Sequence, residues 1–311
     1  MGLLIDIRQP AWMHETDLAE RLRLRLPGVR IHVGAEDGPL DDVVMIACSR
    51  LYPEMPARLS QLRLVQKLGA GVETMVGAAG LPDHVRVARL TAENAADEIA
   101  EYCLAYVLAA QRNIPAHQTD AADGRWRQLA PRSTAETTVA VLGLGHIGAR
   151  TAQLFAGLGF RVMGWSRSAK SITGVECRYG SEALPGMLAE ADHVCAILPS
   201  TPDTRDLFDA RMLARMKPGA QLINCGRGDL IVDADLEAAL DEGRPGHAVL
   251  DVFRTEPLPP EHPFWRHPGV TVTPHVSGWR VEDALMDVAE NYLRLVDGRP
   301  LLNEVDRSAG Y

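Results

Sequence analysis

Apolar residues in the first third of the chain fall in short runs that alternate with helical or turn-like stretches. The runs are rich in Val, Ile and Leu, which is typical of strands buried on both faces of a sheet. Strands that alternate with helices predict a parallel sheet with helices on both sides. The strands that we predict here are Leu3–Ile7, Val29–Val33, Val43–Ala47, Leu62–Leu68 and Val85–Leu90.

The stretch Ala95–Gln111 has the pattern of one long helix, with Asn94 as a candidate N-cap, and it could bridge two domains. The stretch from Ala121 to Thr137 carries Gly124, Pro131 and polar residues, so it predicts a connector and not a core element.

A second strand and helix rhythm follows the connector and predicts a second doubly wound sheet. A last amphipathic stretch, Val281–Val296, follows this sheet and would form a helix that returns to the first domain. We therefore predict a discontinuous first domain, residues 1–96 and 281–311, and a second domain, residues 97–280. The elements predicted in the second domain are strand Val139–Leu142, helix Ile147–Leu158, and strands Arg161–Trp165, His193–Ile197, Gln221–Asn224, His247–Asp251 and Val270–Val272.

Length and charge agree with two ordinary globular domains. A single hydrophobic core stops growing at roughly 250 to 300 residues, and this chain has 311. A formal net charge of -9 would repel a phosphate backbone, and the sequence has no long run of Lys and Arg. Nucleic acid is therefore not an expected partner.

The sequence also favours a cytoplasmic protein that is not attached to a membrane. Asp6 and Arg8 interrupt the apolar N-terminal stretch, so it does not resemble a signal peptide. No window reaches the roughly 18 apolar residues of a membrane span. The five cysteines are widely spaced and form no C-x-x-C pair, which argues against a disulfide framework and against a zinc site.

Gly143-Leu144-Gly145-His146-Ile147-Gly148 fits the pattern G-x-G-x-x-G between a predicted strand and a predicted helix. The glycines allow a tight turn and let backbone amides approach a pyrophosphate at the positive end of the helix dipole. This context predicts dinucleotide binding rather than a plain glycine turn. We expect His146 to face solvent in this loop and to have no catalytic role.

The end of the next strand, Ser166-Arg167-Ser168, predicts which dinucleotide binds. NAD-binding members of this fold place an acidic residue near this position, where it holds the ribose 2′-hydroxyl. Here no carboxylate would repel a 2′-phosphate, and Arg167 can donate charge-assisted hydrogen bonds to one. The sequence thus favours NADP(H), with NAD(H) as a possible second cofactor; the alternative is that Arg167 is only a solvated loop charge.

Three segments that follow predicted strands carry candidate catalytic residues: Asn224–Asp229, Asp251–Pro257 and Thr273–Gly278. Open α/β sheets bind ligands beyond the carboxyl ends of their strands. Reduction of a 2-oxo acid needs a cation for the carboxylate, which Arg227 can supply, and a proton donor for the carbonyl oxygen, which His275 can supply. Glu256 would hydrogen-bond the other imidazole nitrogen and keep His275 oriented and protonated near neutral pH. Each of these residues alone is commonly a structural or solvent-exposed side chain. Their joint occurrence favours a catalytic role.

These segments, in this order and spacing, resemble the D-2-hydroxyacid dehydrogenase family over essentially the whole chain, together with Gly143–Gly148 and Leu198–Pro202. Within that family, Asp251–Phe253, Glu256–Pro259 and Phe264–Pro268 resemble the glyoxylate/hydroxypyruvate reductase A branch. The resemblance implies a Rossmann cofactor domain inserted in a flavodoxin-like substrate domain, a homodimer, and NADPH-dependent reduction of a small 2-oxo acid to the D-2-hydroxy acid.

The resemblance also implies further contacts. Asp251 would meet the nicotinamide carboxamide and Gly278 would lie beside the ring, while backbone amides of the loop Gly69-Ala70-Gly71 would bind the substrate carboxylate. The expected substrate-binding residues are thus Gly69, Ala70, Gly71, Arg227 and His275. An ordinary glycine turn is the alternative for that loop. The full set of expected cofactor contacts is Gly143, Gly145, His146, Ile147, Gly148, Ser166, Arg167, Ser168, Pro199, Thr201, Cys225, Gly226, Arg227, Asp251, His275 and Gly278.

Departures from the family pattern restrict the substrate. Members that oxidise formate carry Gln at the position of Glu256, and members that oxidise phosphite carry Lys in the loop occupied here by Gly69–Gly71, so neither reaction is expected. Trp279-Arg280 stands where the family often has a small residue and Thr, which leaves pocket size and charge open. Trp126 is either part of an arm that reaches a partner subunit or a packed surface side chain.

Other functions remain open at this point. A bulkier branched or aromatic 2-oxo acid is the nearest alternative, decided by pocket residues such as Leu51, Tyr52 and Trp279. From another class, this fold also serves as a nucleotide-sensing interaction protein. The three intact catalytic positions and the lack of a basic extension argue against that reading, and turnover would exclude a protein that only binds its ligand.

Overall fold

The chain divides into two compact units, and the second interrupts the first in sequence. The computed structural model describes residues 1–8, 14–69, 71, 75, 78, 80–90, 93–278 and 282–307. The first unit is Met1–Glu93 with Trp279–Tyr311, and the second is Asn94–Gly278. The change from one unit to the other thus falls at the start of the long helix that was expected to begin at Ala95.

The first unit contains a five-stranded sheet with strand order β2-β1-β3-β4-β5, and every pair of neighbours is parallel. This is the flavodoxin-like doubly wound order. Its strands are β1 (Gly2–Asp6), β2 (Arg30–Val33), β3 (Val43–Cys48), β4 (Leu64–Lys67) and β5 (Arg86–Ala88), and its helices are α1 (Glu15–Arg25), α2 (Met55–Arg58) and α9 (Glu282–Asp297).

Successive residues of β1 point to opposite faces of this sheet, as the two-residue period of a strand requires. Leu3 and Ile5 pack in one apolar cluster, together with Leu22 of α1 and Val288 of α9. Leu4 packs in a second cluster on the other face. Helices and loops therefore cover both faces, which explains the nearly continuous apolar runs in the sequence.

The second unit contains a seven-stranded parallel sheet of order β12-β11-β10-β9-β6-β7-β8, which is the Rossmann arrangement with one added strand. The predicted fold class, two doubly wound parallel-sheet domains, is confirmed. The strands are β6 (Thr138–Leu142), β7 (Arg161–Ser166), β8 (Glu176–Tyr179), β9 (His193–Ala196), β10 (Gln221–Asn224), β11 (His247–Leu250) and β12 (Val270–Val272). The helices are α3 (Glu93–Gln111), α4 (Ile114–Ala122), α5 (His146–Gly157), α6 (Leu184–Glu190), α7 (Ala210–Leu213) and α8 (Asp233–Asp241).

Edge strand β8 was missed by the sequence analysis because its side chains are mostly polar and none of the four is fully buried. Ion pairs stabilise this edge instead of an apolar face. Arg178 pairs with Glu176 within the strand and with Glu190 at the end of α6. Such a strand has no apolar run that would identify it in the sequence.

The expected connector is partly helical. α4 continues to Ala122, and the chain after Gly124 has no regular structure until a 3-10 turn at Thr134–Glu136. Buried Asp120 near the end of α4 accepts hydrogen bonds from Arg125 and Arg127, so the connector is attached to the helix that precedes it.

Within the described ranges, no helix is long and apolar enough to cross a membrane. The same residues contain no His, Cys, Asp and Glu cluster of the kind that holds a metal ion. All five cysteines are free thiols.

Candidate active site

The three segments with candidate catalytic residues begin at one edge of the second sheet. The last residues of neighbouring strands are paired in register: Asn224 with Leu250, and Leu250 with Val272. Since all three strands are parallel, the loops that follow them leave the sheet side by side. Arg227, Glu256 and His275 lie on these three loops.

Glu256 and His275 form a direct hydrogen-bonded pair. The Nδ1 atom of His275 lies 2.8 Å from Oε2 of Glu256, while Oε1 of Glu256 accepts the backbone N–H of Phe253 at 2.9 Å. The His275 side chain is 53% exposed, so the imidazole keeps access to a ligand. Both carboxylate oxygens of Glu256 are engaged, which fixes the carboxylate relative to the imidazole.

The surroundings of Glu256 keep it ionised. Partial burial acts to raise the pKa of Glu256, but the hydrogen bond and charge of His275, the Phe253 N–H and the charge of Arg227 outweigh this effect, and the pKa lies below its usual range. The hydrogen bond between the imidazole and this carboxylate is thus suited to fix the orientation of the His275 ring.

Arg227 lies on a loop whose backbone is held by hydrogen bonds to the Asn224 side chain. Asn224 is fully buried; its Nδ2 donates to the Arg227 carbonyl at 2.9 Å and its Oδ1 accepts the Gly226 N–H at 3.1 Å. Asn224 was predicted only as the first residue of this segment, without this supporting role. This role could have been predicted, because a polar residue at the end of a buried strand needs hydrogen-bond partners.

A glycine allows the Arg227 loop to lie against the loop after β9. A Cβ atom on Gly226 would lie 2.6 Å from the Leu198 carbonyl oxygen, closer than any side chain permits. Ser200 strengthens this junction, since its Oγ donates to Oδ2 of Asp229 at 2.5 Å. Pro199 and Thr201, both predicted cofactor contacts, flank Ser200 and are at least partly exposed at this edge.

Asp251 anchors the loop that carries His275. Its carboxylate is fully buried and accepts three hydrogen bonds, from the Thr273 hydroxyl and from the backbone N–H groups of Val276 and Ser277. The contact with the nicotinamide carboxamide implied by the family resemblance stays a prediction. The structure adds this supporting role, which was not predicted from the sequence.

The glycine-rich loop has the conformation that a dinucleotide requires. Gly143 has a left-handed φ of 99°, and a Cβ there would lie 2.4 Å from the Ile197 carbonyl oxygen. A Cβ on Gly148 would lie 1.7 Å from the Gly143 carbonyl oxygen, so this glycine lets helix α5 pack onto the loop. At Gly145, by contrast, a Cβ would meet open space. The middle glycine thus leaves the amino end of α5 accessible, as close approach of a pyrophosphate demands.

Other predicted cofactor contacts lie next to this loop and at the end of the neighbouring strand. His146 is exposed at the first position of α5, and Ile147 follows it, half-buried. At the end of neighbouring strand β7, buried Ser166 donates to the Ser168 carbonyl at 2.8 Å, and Arg167 between them is exposed. Their contact with the cofactor stays a prediction.

The remaining predicted contacts include one glycine beside helix α3, a buried cysteine and two glycines of the first unit. Gly278 packs against Ile99 and Ala95 of α3, where a Cβ would lie 3.3 to 3.4 Å from their side chains. Buried Cys225 precedes Gly226. In the first unit, Gly69 and Gly71 follow β4, and Gly69 has a φ of 148°. Ala70, Trp279 and Arg280 lie outside the described residues.

Trp126 is the most exposed of the large apolar side chains that the structure describes, at 94%. The neighbouring side chains of Arg125 and Arg127 hold the segment on Asp120, and Arg132 pairs with Asp192 at its other end. No side chain in the described part of the chain covers the indole. In a single copy of the chain, the interpretation of Trp126 as a packed surface side chain is therefore wrong.

Comparison with known proteins relates this site to an enzyme family. Residues 104–277 match the family described as D-isomer specific 2-hydroxyacid dehydrogenase, NAD binding domain. Over 298 residues the chain is 37% identical to glyoxylate/hydroxypyruvate reductase A of Serratia proteamaculans, covering 93% of this chain and 94% of the relative.

Solved structures show the same similarity. A D-isomer specific 2-hydroxyacid dehydrogenase from Xanthobacter autotrophicus, in complex with NADPH and MES, superimposes with a TM-score of 0.91 at 39% identity, covering 100% of this chain and 99% of that one. An NADPH-dependent glyoxylate/hydroxypyruvate reductase from Sinorhizobium meliloti, in complex with NADP and sulfate, superimposes with a TM-score of 0.91 at 32% identity and with the same coverage.

Proposed function

We propose that this chain, which belongs to the D-isomer specific 2-hydroxyacid dehydrogenase family, reduces glyoxylate or hydroxypyruvate to the corresponding 2-hydroxy acid and prefers NADPH as the cofactor. The observation that carries the proposal is the pair of His275 with an ionised Glu256 on the loops next to Arg227. Relatives named for this reaction, and those crystallised with NADPH or NADP, support the choice of substrate and cofactor.

His275 is the proton donor in this proposal. Since Glu256 occupies Nδ1, the other ring nitrogen, Nε2, gives its proton to the carbonyl oxygen of the substrate. Glu256 stabilises the protonated ring before the transfer and keeps it oriented. Arg227 binds the substrate carboxylate, because a guanidinium offers two parallel N–H donors to a carboxylate.

The residues that would hold NADPH follow the carboxyl ends of strands of the second sheet. The pyrophosphate would lie at the amino end of α5 over Gly145, where a side chain is absent and the space is open. Arg167 would pair with the 2′-phosphate, and Ser168 would assist. When bound, NADPH supplies the hydride for the carbonyl carbon. NAD(H) would bind more weakly because it lacks the group that Arg167 recognises.

The experiment that tests this function follows the absorbance of the reduced nicotinamide during turnover. NADPH and NADH are each tested with glyoxylate, hydroxypyruvate, pyruvate and phenylpyruvate. We expect the highest kcat/KM with NADPH and one of the first two acids. Highest activity with phenylpyruvate would transfer the proposal to bulkier 2-oxo acids. Binding of NADPH without turnover of any acid would contradict the enzymatic proposal and favour a nucleotide-sensing protein.

We also propose that the chain forms a homodimer through the connector around Trp126. An indole that is 94% exposed, on a segment held by ion pairs at both ends, is suited to pack on a second copy. Light scattering coupled to size-exclusion chromatography should give a dimer, and Trp126→Ala should shift it toward monomer. Trp265→Ala is the control, since Trp265 is 49% exposed and lies away from the connector in sequence. A monomeric wild type would contradict this proposal.

A further inference from the structure

A chain of side-chain hydrogen bonds connects helix α3 to the loop that carries His275. The phenol oxygen of Tyr102 lies 2.6 Å from Oγ1 of Thr273, and Oγ1 of Thr273 lies 2.6 Å from Oδ1 of Asp251. Tyr102 and Thr273 are both partly buried, and Asp251 is fully buried. None of these three residues belongs to the proton donor, its partner or the carboxylate-binding arginine.

The direction of donation along this chain follows from its chemistry. The Thr273 hydroxyl has one hydrogen, which it donates to the Asp251 carboxylate. Its oxygen can therefore only accept from Tyr102, so the phenol must be the donor. Burial raises the pKa of Tyr102 well above its usual range, which keeps the phenol protonated and able to donate.

Asp251 in turn determines the course of the loop around His275. One carboxylate oxygen accepts the N–H of Val276 and the other accepts the N–H of Ser277. The N–H of His275 itself donates to the backbone carbonyl of Asp251 at 2.9 Å. His275 has a left-handed φ of 56°, which is unfavourable for a residue with a side chain, so the loop needs these contacts to hold it.

We propose that Tyr102 is a positioning residue for the reduction, acting through Thr273 and Asp251 on the placement of the His275 imidazole. This inference rests on the proposed function, since it assigns a further residue to the same reaction. Tyr102 touches neither Glu256 nor His275 in these contacts; it fixes the rotamer of Thr273, and Thr273 completes the set of donors around Asp251. Small errors in the placement of a catalytic group cost large factors in rate, about 100-fold for 1 Å.

Tyr102→Phe tests the proposal with the smallest possible change, because it removes only the hydroxyl. We expect kcat to fall about 10-fold, since a partly displaced imidazole costs less than the full 1 Å error, while the Kd for NADPH stays within about twofold. We also expect the loss of rate at alkaline pH to begin at a lower pH, because a displaced imidazole pairs less well with Glu256. Tyr106→Phe is the matched control: its ring lies 4.8 Å from that of Tyr102 on the same helix.

A double-mutant cycle shows whether Tyr102 acts through Thr273. Thr273→Val removes the hydroxyl that links the two ends of the chain, and we expect Tyr102→Phe to have no further effect on kcat in that background. Thr273→Ser retains the hydroxyl and should restore most of the wild-type kcat and pH profile. Thermal unfolding of each variant identifies any that fail to fold, and the serine variant then decides the role of the hydroxyl.

The outcomes separate this inference from the proposed function. An active wild type, with a slower Tyr102→Phe variant and no additivity with Thr273→Val, supports both. An active wild type whose kcat and pH profile are unchanged in Tyr102→Phe, or whose losses add independently, overturns the positioning role and leaves the function intact. A wild type that turns over none of the 2-oxo acids contradicts the function, and the positioning role falls with it.

Discussion

Gly228 lies against the backbone of Phe253 so closely that no side chain fits between them. A Cβ atom on Gly228 would lie 1.9 Å from the Phe253 carbonyl carbon and 2.2 Å from its oxygen. Gly228 follows Arg227, and the N–H of Phe253 donates to Glu256. This contact therefore joins the loop of the substrate-binding cation to the loop of the orienting carboxylate.

Gly228→Ala should impair both stability and catalysis. The methyl group must push the two loops apart, and overpacking of this kind costs about 1 to 3 kcal/mol. We expect a lower melting temperature in differential scanning calorimetry and a lower kcat/KM for the 2-oxo acid. Gly186→Ala is the control, because Gly186 lies within α6 and a Cβ there meets open space; it should leave activity unchanged and raise stability slightly. Unchanged activity in Gly228→Ala would show that the two loops act independently.

Glu256→Gln should slow the reduction. A glutamine amide has one acceptor oxygen where the carboxylate has two, so it cannot accept from both His275 and the Phe253 N–H, and the imidazole loses part of its orientation. Initial rates at saturating NADPH and oxo acid measure kcat for the variant and the wild type. An unchanged kcat would contradict the orienting role of Glu256.

The same variant should change how stability depends on pH. Because the pKa of Glu256 is lowered in the folded protein, its ionised form contributes stability above the usual glutamate range, and this contribution is lost as the pH falls through the lowered value. The difference in melting temperature between wild type and Glu256→Gln should therefore be larger at pH 7 than at pH 4. A difference that grows on acidification would contradict this sign.

Arg227→Ala should raise the KM for the oxo acid and lower kcat as well, since the carboxylate is held both in the bound state and during hydride transfer. Arg227→Lys should recover only part of the loss, because an ammonium group lacks the planar pair of donors. Both constants come from initial rates at saturating NADPH. An unchanged KM in the alanine variant would count against a role in carboxylate binding.

Arg167→Ala should weaken NADPH selectively. Removal of a partner for the 2′-phosphate should raise the KM for NADPH about 10-fold, equivalent to roughly 1.4 kcal/mol, and leave that for NADH nearly unchanged. Lys170→Ala controls for a general loss of positive charge, because Lys170 is another exposed cation on the same loop. An equal increase in KM for the two cofactors would show that Arg167 does not bind the 2′-phosphate.

Elements with a strong apolar pattern were predictable from the sequence. The glycine loop between β6 and α5 and the parallel strands were found because glycine spacing and apolar runs directly reflect backbone conformation and burial. The confirmed fold class and family follow from these features and from the order of the segments.

Side-chain contacts that depend on tertiary structure could not be found in this way. Tyr102 is a polar position in an apolar helix far from Thr273 in sequence, and only the folded sheet brings the two together. The polar strand β8 gave no apolar signal. Asn224 and Asp251 were noticed as positions, but their hydrogen-bond partners on neighbouring loops give them their supporting roles.

In the proposed reaction His275 donates the proton to the carbonyl oxygen, and His275→Gln tests this role when its kcat is compared with its binding of NADPH. We predict that kcat falls about 100- to 10,000-fold while the Kd for NADPH, measured by fluorescence titration, stays within about twofold. His262→Gln is the control, because His262 pairs with Asp233 and not with Glu256, and it should leave kcat unchanged. Parallel losses of turnover and NADPH binding in His275→Gln, or retention of turnover, would contradict the assignment.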